Sequence, residues 1–451
     1  VNLESLVSQR VAIWGMGEEG VAFARLLMER GASPVLVDDD PVGAARRAPT
    51  VTDTPLVVHP PDPSVLAAAD TIVRSPGVSR YRPELVDAAR GGVVVTTPLA
   101  VWLEDFHHAP IVAVTGTKGK STTATLAARI LGHSGRVALV GNIGTPVTDL
   151  YGQKDFDAYV VEVSSYQAAE VTTSPSVSVL TSLAPDHLDW HGGVEAYYRD
   201  KLRLISAGPL GALAVNAASA EALSRTADHP GRTLYGDQGR VQARSGWISV
   251  DGEQLVEYVG LRTPGEHNVA NLCGAVAGVL LLTGSPPQPA ALVEAIEGFE
   301  GLPSRCQSIG TRGGLEFVDD ALASNPFATV ASVASYGDRP MTLILGGADR
   351  GVDFTDLAEV VATRVPVPHV VTIPPDGGRI ADRLTTVGRQ HQVEVSISEA
   401  ADPGDAARTA WTTTPRGGVV LFSPGAPTPD GEGGFRERSR LFREAFEALT
   451  G

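Results

Sequence analysis

The sequence predicts an α/β protein of three domains in series, each a parallel sheet flanked by helices. Three observations carry that prediction. Short apolar, strand-like runs alternate with helical stretches along the whole chain. Glycine-rich turns stand between such a run and a helix at two places. A chain of 451 residues also exceeds what one ordinary core supports.

The first domain, expected over residues 1–97, opens with "VAIWG", a helix through "EGVAFARLLMERG" and "SPVLVDDD", then adds "TIVRSPG" and "GVVVTT". It reads as a Rossmann-like doubly wound sheet. A break falls in "TTPLAVWLEDFHHAP", where an amphipathic helix leads into a new strand. The second domain, over 98–302, carries "IVAVTG", "YVVEVSS", "VSVLTSL" and "LGALAVN" and ends in the helix "HNVANLCGAVAGVLLLTG". Within it, residues 230–263 alternate like antiparallel strands and are expected to form a β-rich insertion. The third domain, over 303–451, repeats the strand–helix rhythm through "LEFVDD", "MTLILGG", "HVVTI" and "GVVLFSPG", and closes on "FRERSRLFREAFEAL". It too reads as Rossmann-like.

Composition narrows the function. The chain is 43% hydrophobic, 20% charged and 6% aromatic, with a net charge of −16. No basic tract opposes that acidic balance, so nucleic acid is not an expected partner. An anionic substrate needs local cations, helix N-termini or metal ions to hold it in such a field. Cys273 and Cys306 are the two cysteines, too few for a disulfide framework and in keeping with a reducing cytosol. No basic-then-apolar leader opens the sequence and no apolar run suits a bilayer, so a cytoplasmic location without membrane contact is expected.

Two glycine turns carry most of the chemistry. In "WGMGEEG", Gly15, Gly17 and Gly20 have dinucleotide-fold spacing, and Asp38 in "VLVDDD" follows at the distance where a carboxylate meets a ribose. That turn suits a nicotinamide dinucleotide, another nucleotide diphosphate, or tight packing alone. In "AVTGTKGKS", the usual phosphate-loop signature fails by its spacing. Val114 stands where the first glycine belongs, and Gly116 comes two residues too late. The context is nonetheless right: a strand precedes the loop and a helix follows. Backbone N–H groups there would face phosphates, with Lys120 reaching the terminal phosphates and Ser121 or Thr122 a Mg²⁺ ion. Glu162 ends a buried apolar strand, where a lone carboxylate is costly unless paired or metal-bound. His187, between Asp186 and Asp189, follows another strand end. Lys201 lies on a helix, where most lysines simply face water. Asn268 and Asn271 stand at the mouth of an apolar helix, where N-capping is the ordinary use of Asn.

The order "TGTKGKS", "GNIG", "EVSSYQ", Asp186-His187, the helix lysine Lys201, "HNVAN" and "LPSR" resembles the Mur ligase family, and within it the branch that adds glutamate. The resemblance spans nearly the whole chain, and the short phosphate loop is a mark of that family. It implies an ATP-dependent, ADP-forming ligase of peptidoglycan precursor synthesis. Such an enzyme joins glutamate to UDP-N-acetylmuramoyl-L-alanine through an acyl phosphate. It further implies a central P-loop ATPase-like domain and a monomer acting on small molecules. The UDP-substrate site would comprise Gly15, Gly17, Asp38, Ser75, Pro76, Gly77, Asn142 and Ser164. ATP would meet Gly116, Thr117, Lys118, Gly119, Lys120, Ser121, Thr122, Asn271, Arg305 and Asp320. Two Mg²⁺ ions are implied, one at Ser121 and Glu162, the other at His187 and a carbamylated Lys201. Lys120, Glu162, His187 and Lys201 are thus the expected catalytic set.

The third domain departs from the family pattern. "DALASNP" has Leu322 where the family has a lysine and Ser324 in place of a threonine. Arg350 replaces a lysine, Thr428 replaces a serine, and Phe435 matches. Ser324, Arg350, Thr428 and Phe435 are the expected glutamate contacts. Lys118 also departs, standing where the family usually has Asn. These changes leave D- and L-glutamate both open. The alternatives are another Mur-type or a folylpolyglutamate-type ligase with a different acceptor. A nucleotide-binding regulator need not keep Glu162, His187 and Lys201 together, and a dehydrogenase leaves the Gly-Lys-Ser loop unexplained.

Overall fold

The computed structural model describes all residues except 48–49, 52–53, 56, 144, 154, 260, 262–264, 349–351, 430–432 and 451; at 46–47, 50–51 and 54–55 it describes the backbone alone. The fold is mixed α/β with three principal sheets among the described residues. The chain divides into two compact units, one of residues 1–260 with 267–297, the other of 261–266 with 298–451. The first unit holds two of the sheets.

The N-terminal sheet runs Val58–His59, Val35–Val37, Val11–Trp14, Thr71–Arg74, Val94–Thr96, every pair parallel. Its central strands are buried at every residue because apolar clusters cover both faces. That double cover explains the continuous rather than alternating runs of Val and Ile. The first strand is flanked by the second on one side and by a later one on the other. This reversal of strand order opens a crevice at the carboxyl ends of Val11–Trp14 and Thr71–Arg74.

The second sheet repeats this logic on a larger scale. Ile111–Thr115 lies between Ala158–Glu162 and Val177–Leu180, all parallel, with Val137–Gly141 at one edge and Ala212–Asn216 continuing the other side. The stretch expected to be wholly antiparallel divides. Arg232–Tyr235 pairs parallel with Ala212–Asn216, and only Val241–Arg244, Trp247–Val250 and Glu253–Glu257 form an antiparallel meander. Alternation reports one covered face and not strand direction, and the helix Ala220–Arg225 supplies the crossover that a parallel pair requires.

The second unit contains the third sheet, in the order Gln307–Arg312, Leu315–Asp319, Val419–Phe422, Met341–Leu345, His369–Thr372, Ile397–Glu399. All neighbours are parallel except the first, antiparallel pair. Apolar clusters again cover both faces.

Candidate active site

The phosphate loop joins the strand Ile111–Thr115 to the helix Lys120–Gly132. Gly116 and Gly119 both have positive φ, 144° and 87°. A Cβ on Gly116 would lie 2.1 Å from Thr181 Oγ1, and one on Gly119 would lie 2.3 Å from Asn271 Oδ1. Both positions therefore require glycine for conformation and for space. The loop is held from outside. Thr117 N–H donates to Ser182 O at 2.8 Å, Lys118 N–H to Ser182 Oγ at 2.9 Å, and Thr117 Oγ1 to Ala184 O at 2.9 Å. Lys120 Nζ donates to Thr117 O at 3.0 Å. Thr122 is half-buried on the first turn of the helix.

Parallel pairing sets Glu162 opposite Val114, at the end of the strand beside the loop. Its side chain is fully buried. Oε1 accepts a hydrogen bond from Asn142 Nδ2 at 3.0 Å, whereas Oε2 is buried with no hydrogen-bond partner among the described residues. Ser121 Oγ, on the first turn of the loop's helix, is buried and unpartnered in the same way. Leaving such an atom unpaired costs about 1–3 kcal/mol. These two orphaned oxygens, a hydroxyl and a carboxylate, are the hard donors Mg²⁺ takes. No group of three His, Cys, Asp or Glu side chains with metal-holding geometry occurs among the described residues. Mg²⁺ takes one or two carboxylates and completes its shell with phosphate oxygens and water.

His187 and Lys201 complete the group. His187 adopts a left-handed backbone (φ 51°) and precedes the short helix Leu188–His191. Its side chain is 51% exposed, with Nε2 3.7 Å from Asp186 Oδ2. Burial, then the nearby Lys120, push its imidazole below the usual range, with Asp186 opposing; this favours the neutral, ligating form. Lys201, on the helix Val194–Ser206, is buried, and its Nζ donates to Gly116 O at 2.9 Å. It is not a solvated lysine. Burial, reinforced by the charge of Lys120, holds its ammonium well below the usual lysine range. Lys118 is 56% exposed, its Nζ 3.9 Å from Asp186 Oδ2.

Asn268 and Asn271 are not helix caps. Both are buried within the helix Glu266–Thr283, and Asn271 Nδ2 donates to Asn268 Oδ1 at 3.3 Å while its Oδ1 accepts from Thr123 Oγ1 at 3.4 Å. Cys273 lies on the same helix, where burial pushes its thiol up to about 12, an inert state.

At the N-terminal crevice, Gly15 has φ 97° and its added Cβ would lie 2.8 Å from Ser75 Cβ; Ser75 Oγ donates to Gly15 O. Gly17 is the N-cap of the helix Glu18–Glu29. The Asp38 carboxylate accepts from Met16 N–H at 2.7 Å and from Asp40 N–H at 2.9 Å, so it braces the glycine turn. Pro76 and Gly77 continue the turn after Ser75, half-buried and exposed. Ser164 forms a capping box with Gln167, and Asn142 bridges to Glu162 as described. A carboxylate outside the expected set also lies here. Glu19 Oε1 accepts from Gln167 Nε2 at 2.6 Å, Oε2 is buried and unpartnered, and burial raises the acid to about 7.

The remaining expected residues belong to the second unit. Arg305 and Ser324 are exposed, and Thr428 and Leu322 half-buried. Asp320 is buried and accepts from Cys306 N–H at 3.0 Å, Ser332 Oγ at 2.6 Å and Ser423 Oγ at 2.7 Å. Burial raises it to about 6. Phe435 packs against the apolar cluster around Phe317, Phe422 and Phe442. Arg350 lies outside the described residues. The sequence reading missed Arg438, a buried guanidinium that donates to Gly346 O beneath the glycine turn of "LGGA". Its only sequence signal is helical spacing in "FRERSRLF".

Comparison with known proteins decides the family. Residues 114–279 match the model for the Mur ligase middle domain, and residues 9–97 match the model for the Mur ligase MurD-like N-terminal domain. A UDP-N-acetylmuramoyl-L-alanine–L-glutamate ligase of Micromonospora sp. is 38% identical, covering 100% of this chain and 99% of its own. The chain belongs to the Mur ligase family. A second ligase of that name, from Salinispora tropica, is 37% identical across the full length of both chains. Among solved structures, the UDP-N-acetylmuramate–alanine ligase MurC of Thermotoga maritima shares the fold. It aligns with a TM-score of 0.60 at 18% identity and covers 98% of this chain and 99% of its own. This Mur ligase is accordingly an enzyme of the ATP-dependent, amide-forming kind.

Proposed function

We propose that this Mur ligase joins L-glutamate to UDP-N-acetylmuramoyl-L-alanine, converting ATP to ADP and phosphate, in cytoplasmic peptidoglycan precursor synthesis. One observation carries the choice of substrate: full-length similarity to enzymes named for L-glutamate. It favours the L-enantiomer between the two that the third-domain substitutions left open. The reading divides the chain at 1–97 for the UDP-substrate, 98–302 for ATP and 303–451 for glutamate.

A carboxylate resists attack by an amine. The L-alanyl carboxylate oxygen therefore attacks the γ-phosphorus and ADP leaves. The neutral glutamate amine then attacks the carbonyl carbon to form the C–N bond. The C–O bond breaks with its electron pair going to the departing phosphate, and the nitrogen's proton passes to phosphate or water. Ser121 and Glu162 would hold one Mg²⁺ and His187 with Lys201 the other; the ions when bound neutralise charge on the phosphoryl oxygens. The backbone of Gly116–Ser121 would cradle the phosphates, aided by Lys118, Lys120 and Thr122 with Asn271 behind the loop. Lys201 suits a carbamate: a buried amine held neutral adds CO₂ and releases a proton, becoming an oxygen donor where an ammonium could not ligate. The glycine turn with Asp38, Ser75, Pro76 and Gly77, together with Asn142 and Ser164, would seat the UDP-sugar. Arg305 and Asp320 would meet ATP from the third domain, while Ser324, Arg350, Thr428 and Phe435 would meet glutamate. Arg350 can grip a carboxylate in a fork, as a lysine cannot. A monomer suffices for all of these roles.

The test is phosphate release with ATP, Mg²⁺ and UDP-N-acetylmuramoyl-L-alanine, supplying L- or D-glutamate separately. Turnover with L-glutamate is expected. Turnover with neither enantiomer, but with UDP-N-acetylmuramate and alanine, overturns the assignment.

A further inference from the structure

A buried polar chain lies beside the metal-binding group and has no part in the scheme above. Asp200 Oδ2 is 2.8 Å from His191 Nδ1, and His191 Nε2 is 2.9 Å from Ser165 Oγ. All three side chains are buried. A carboxylate only accepts, so Nδ1 carries a proton and donates to Asp200, while Nε2 shares a hydrogen bond with the serine hydroxyl. The order acid–imidazole–hydroxyl is that of a nucleophilic triad, yet a buried Ser165 admits no substrate.

Position in the chain gives the trio another meaning. Ser165 opens the helix Ser165–Ala168 directly after the Glu162 strand end. His191 closes the short helix that His187 caps, and Asp200 immediately precedes Lys201. Asp200 thus shares a helix with Lys201, His191 ends the helix that His187 caps, and Ser165 follows Glu162 by three residues. Two hydrogen bonds therefore fasten together the three segments that carry the proposed metal-holding residues.

The N-terminal domain grips the same cluster. Tyr81 OH donates to Asp200 Oδ2 at 2.9 Å, and Arg80 Nη1 lies 3.5 Å from Asp200 Oδ1 and donates to Ala169 O at 2.6 Å. Ser79 Oγ donates to Trp190 O at 2.7 Å. Arg74, buried beside Ser75, donates to Tyr166 O at 2.9 Å, and the Tyr166 ring centroid lies 5.0 Å from that of His187. Glu170, 3.3 Å from both Arg74 Nε and Arg80 Nε, balances their charge.

We propose that Asp200 and His191 are positioning residues that hold Glu162, His187 and Lys201 in register for metal binding, with Tyr81 as their anchor in the N-terminal domain. The inference rests on the metal-holding roles of the proposed function. Outer partners of this kind set metal affinity by about 10- to 100-fold.

The test uses the full-length protein with ADP and Mn²⁺ as the probe, bound metal being read by electron paramagnetic resonance and folding by thermal unfolding. His191→Gln is expected to weaken Mn²⁺ binding about tenfold and to raise the KM for Mg²⁺ more than it lowers kcat. Tyr81→Phe removes one oxygen from a half-buried ring, keeps the fold, and is expected to give a smaller loss in the same direction. Mn²⁺ affinity within about twofold of wild type in folded Tyr81→Phe overturns the inference, whether or not His191→Gln folds. Wild-type protein that binds no Mn²⁺ with ADP overturns the metal-holding roles themselves, a separate result.

Discussion

The two glycine turns of the first unit are built alike and equipped differently. Each follows the carboxyl end of a central parallel strand, turns through positive-φ glycine and enters a helix. Beside each stands a glutamate with one oxygen bonded to a side-chain amide and the other buried without a partner: Glu162 with Asn142, Glu19 with Gln167. Near Glu162 the charges are cationic: Lys201 feels both the Glu162 carboxylate and the ammonium of Lys120. Around Glu19 the charges are Arg74, already committed to Glu170 and the Tyr166 carbonyl, and the like-charged Glu18. On the proposed function, the same strand–turn–helix unit would serve cation-assisted phosphate chemistry at one end. At the other it offers a helix N-terminus and a carboxyl that burial pushes up to about 7, so that it is near half-protonated at neutrality. The fold supplies the cradle, and the side chains around it decide between reacting and holding.

The sharpest way to break that contrast is Glu162→Gln, which is expected to lower kcat/KM roughly 10³-fold in the phosphate-release assay; retention of most activity would put the two glutamates on one footing. Next comes Lys201→Ala, expected to cost about 10²-fold, with partial recovery on adding a short-chain carboxylic acid. Absence of recovery would argue against the carbamate and leave the ligase reading intact. In the second unit, Ser324→Ala is expected to raise the KM for glutamate about tenfold while that for ATP stays level, the loss of one hydrogen bond to a charged group. Glu19→Gln should act on stability rather than turnover. The wild-type acid titrates near 7 when folded and near 4.5 when unfolded, so the stability it contributes is complete below pH 4.5 and is lost as pH rises through 7. The Gln variant should therefore melt above wild type at pH 8 and level with it at pH 4.5. Lys118→Ala closes the series: as an exposed lysine it should alter the KM for ATP by about twofold or less, with the effect fading in high salt.

How legible the site was depends on the kind of interaction involved. The phosphate loop, Glu162 and His187 could be read from the chain because each lies at a strand end, and strand ends are local signals. Lys201 was singled out only through a family likeness and its burial was not foreseen, since a lysine on an amphipathic helix gives no sign of which neighbour will cover it. The cluster of Arg74, Glu170, Asp200 and His191 left no local trace at all. Arg74 lies 96 residues from Glu170, His191 and Asp200 stand on two different helices, and each alone reads as a solvated charge. Asp320 was marked by motif, but the two hydroxyls and the backbone amide that bond its carboxylate come from other segments of its unit and gave no local signal. The Arg232–Tyr235 strand was found but its direction was not, because side-chain alternation is the same whichever way a neighbour runs.

The contact between Gly119 and Asn271 restricts how this protein can change over generations. A methyl group at position 119 would fall 2.3 Å from the Asn271 amide oxygen, on a helix encoded far downstream. A codon change at position 119 is therefore judged by position 271 for space and by the loop's own positive φ for conformation, and a smaller residue at 271 relieves only the first. Two distant stretches of the gene are bound into one heritable character, and a library that randomises the loop while fixing the helix should return glycine at 119 almost without exception.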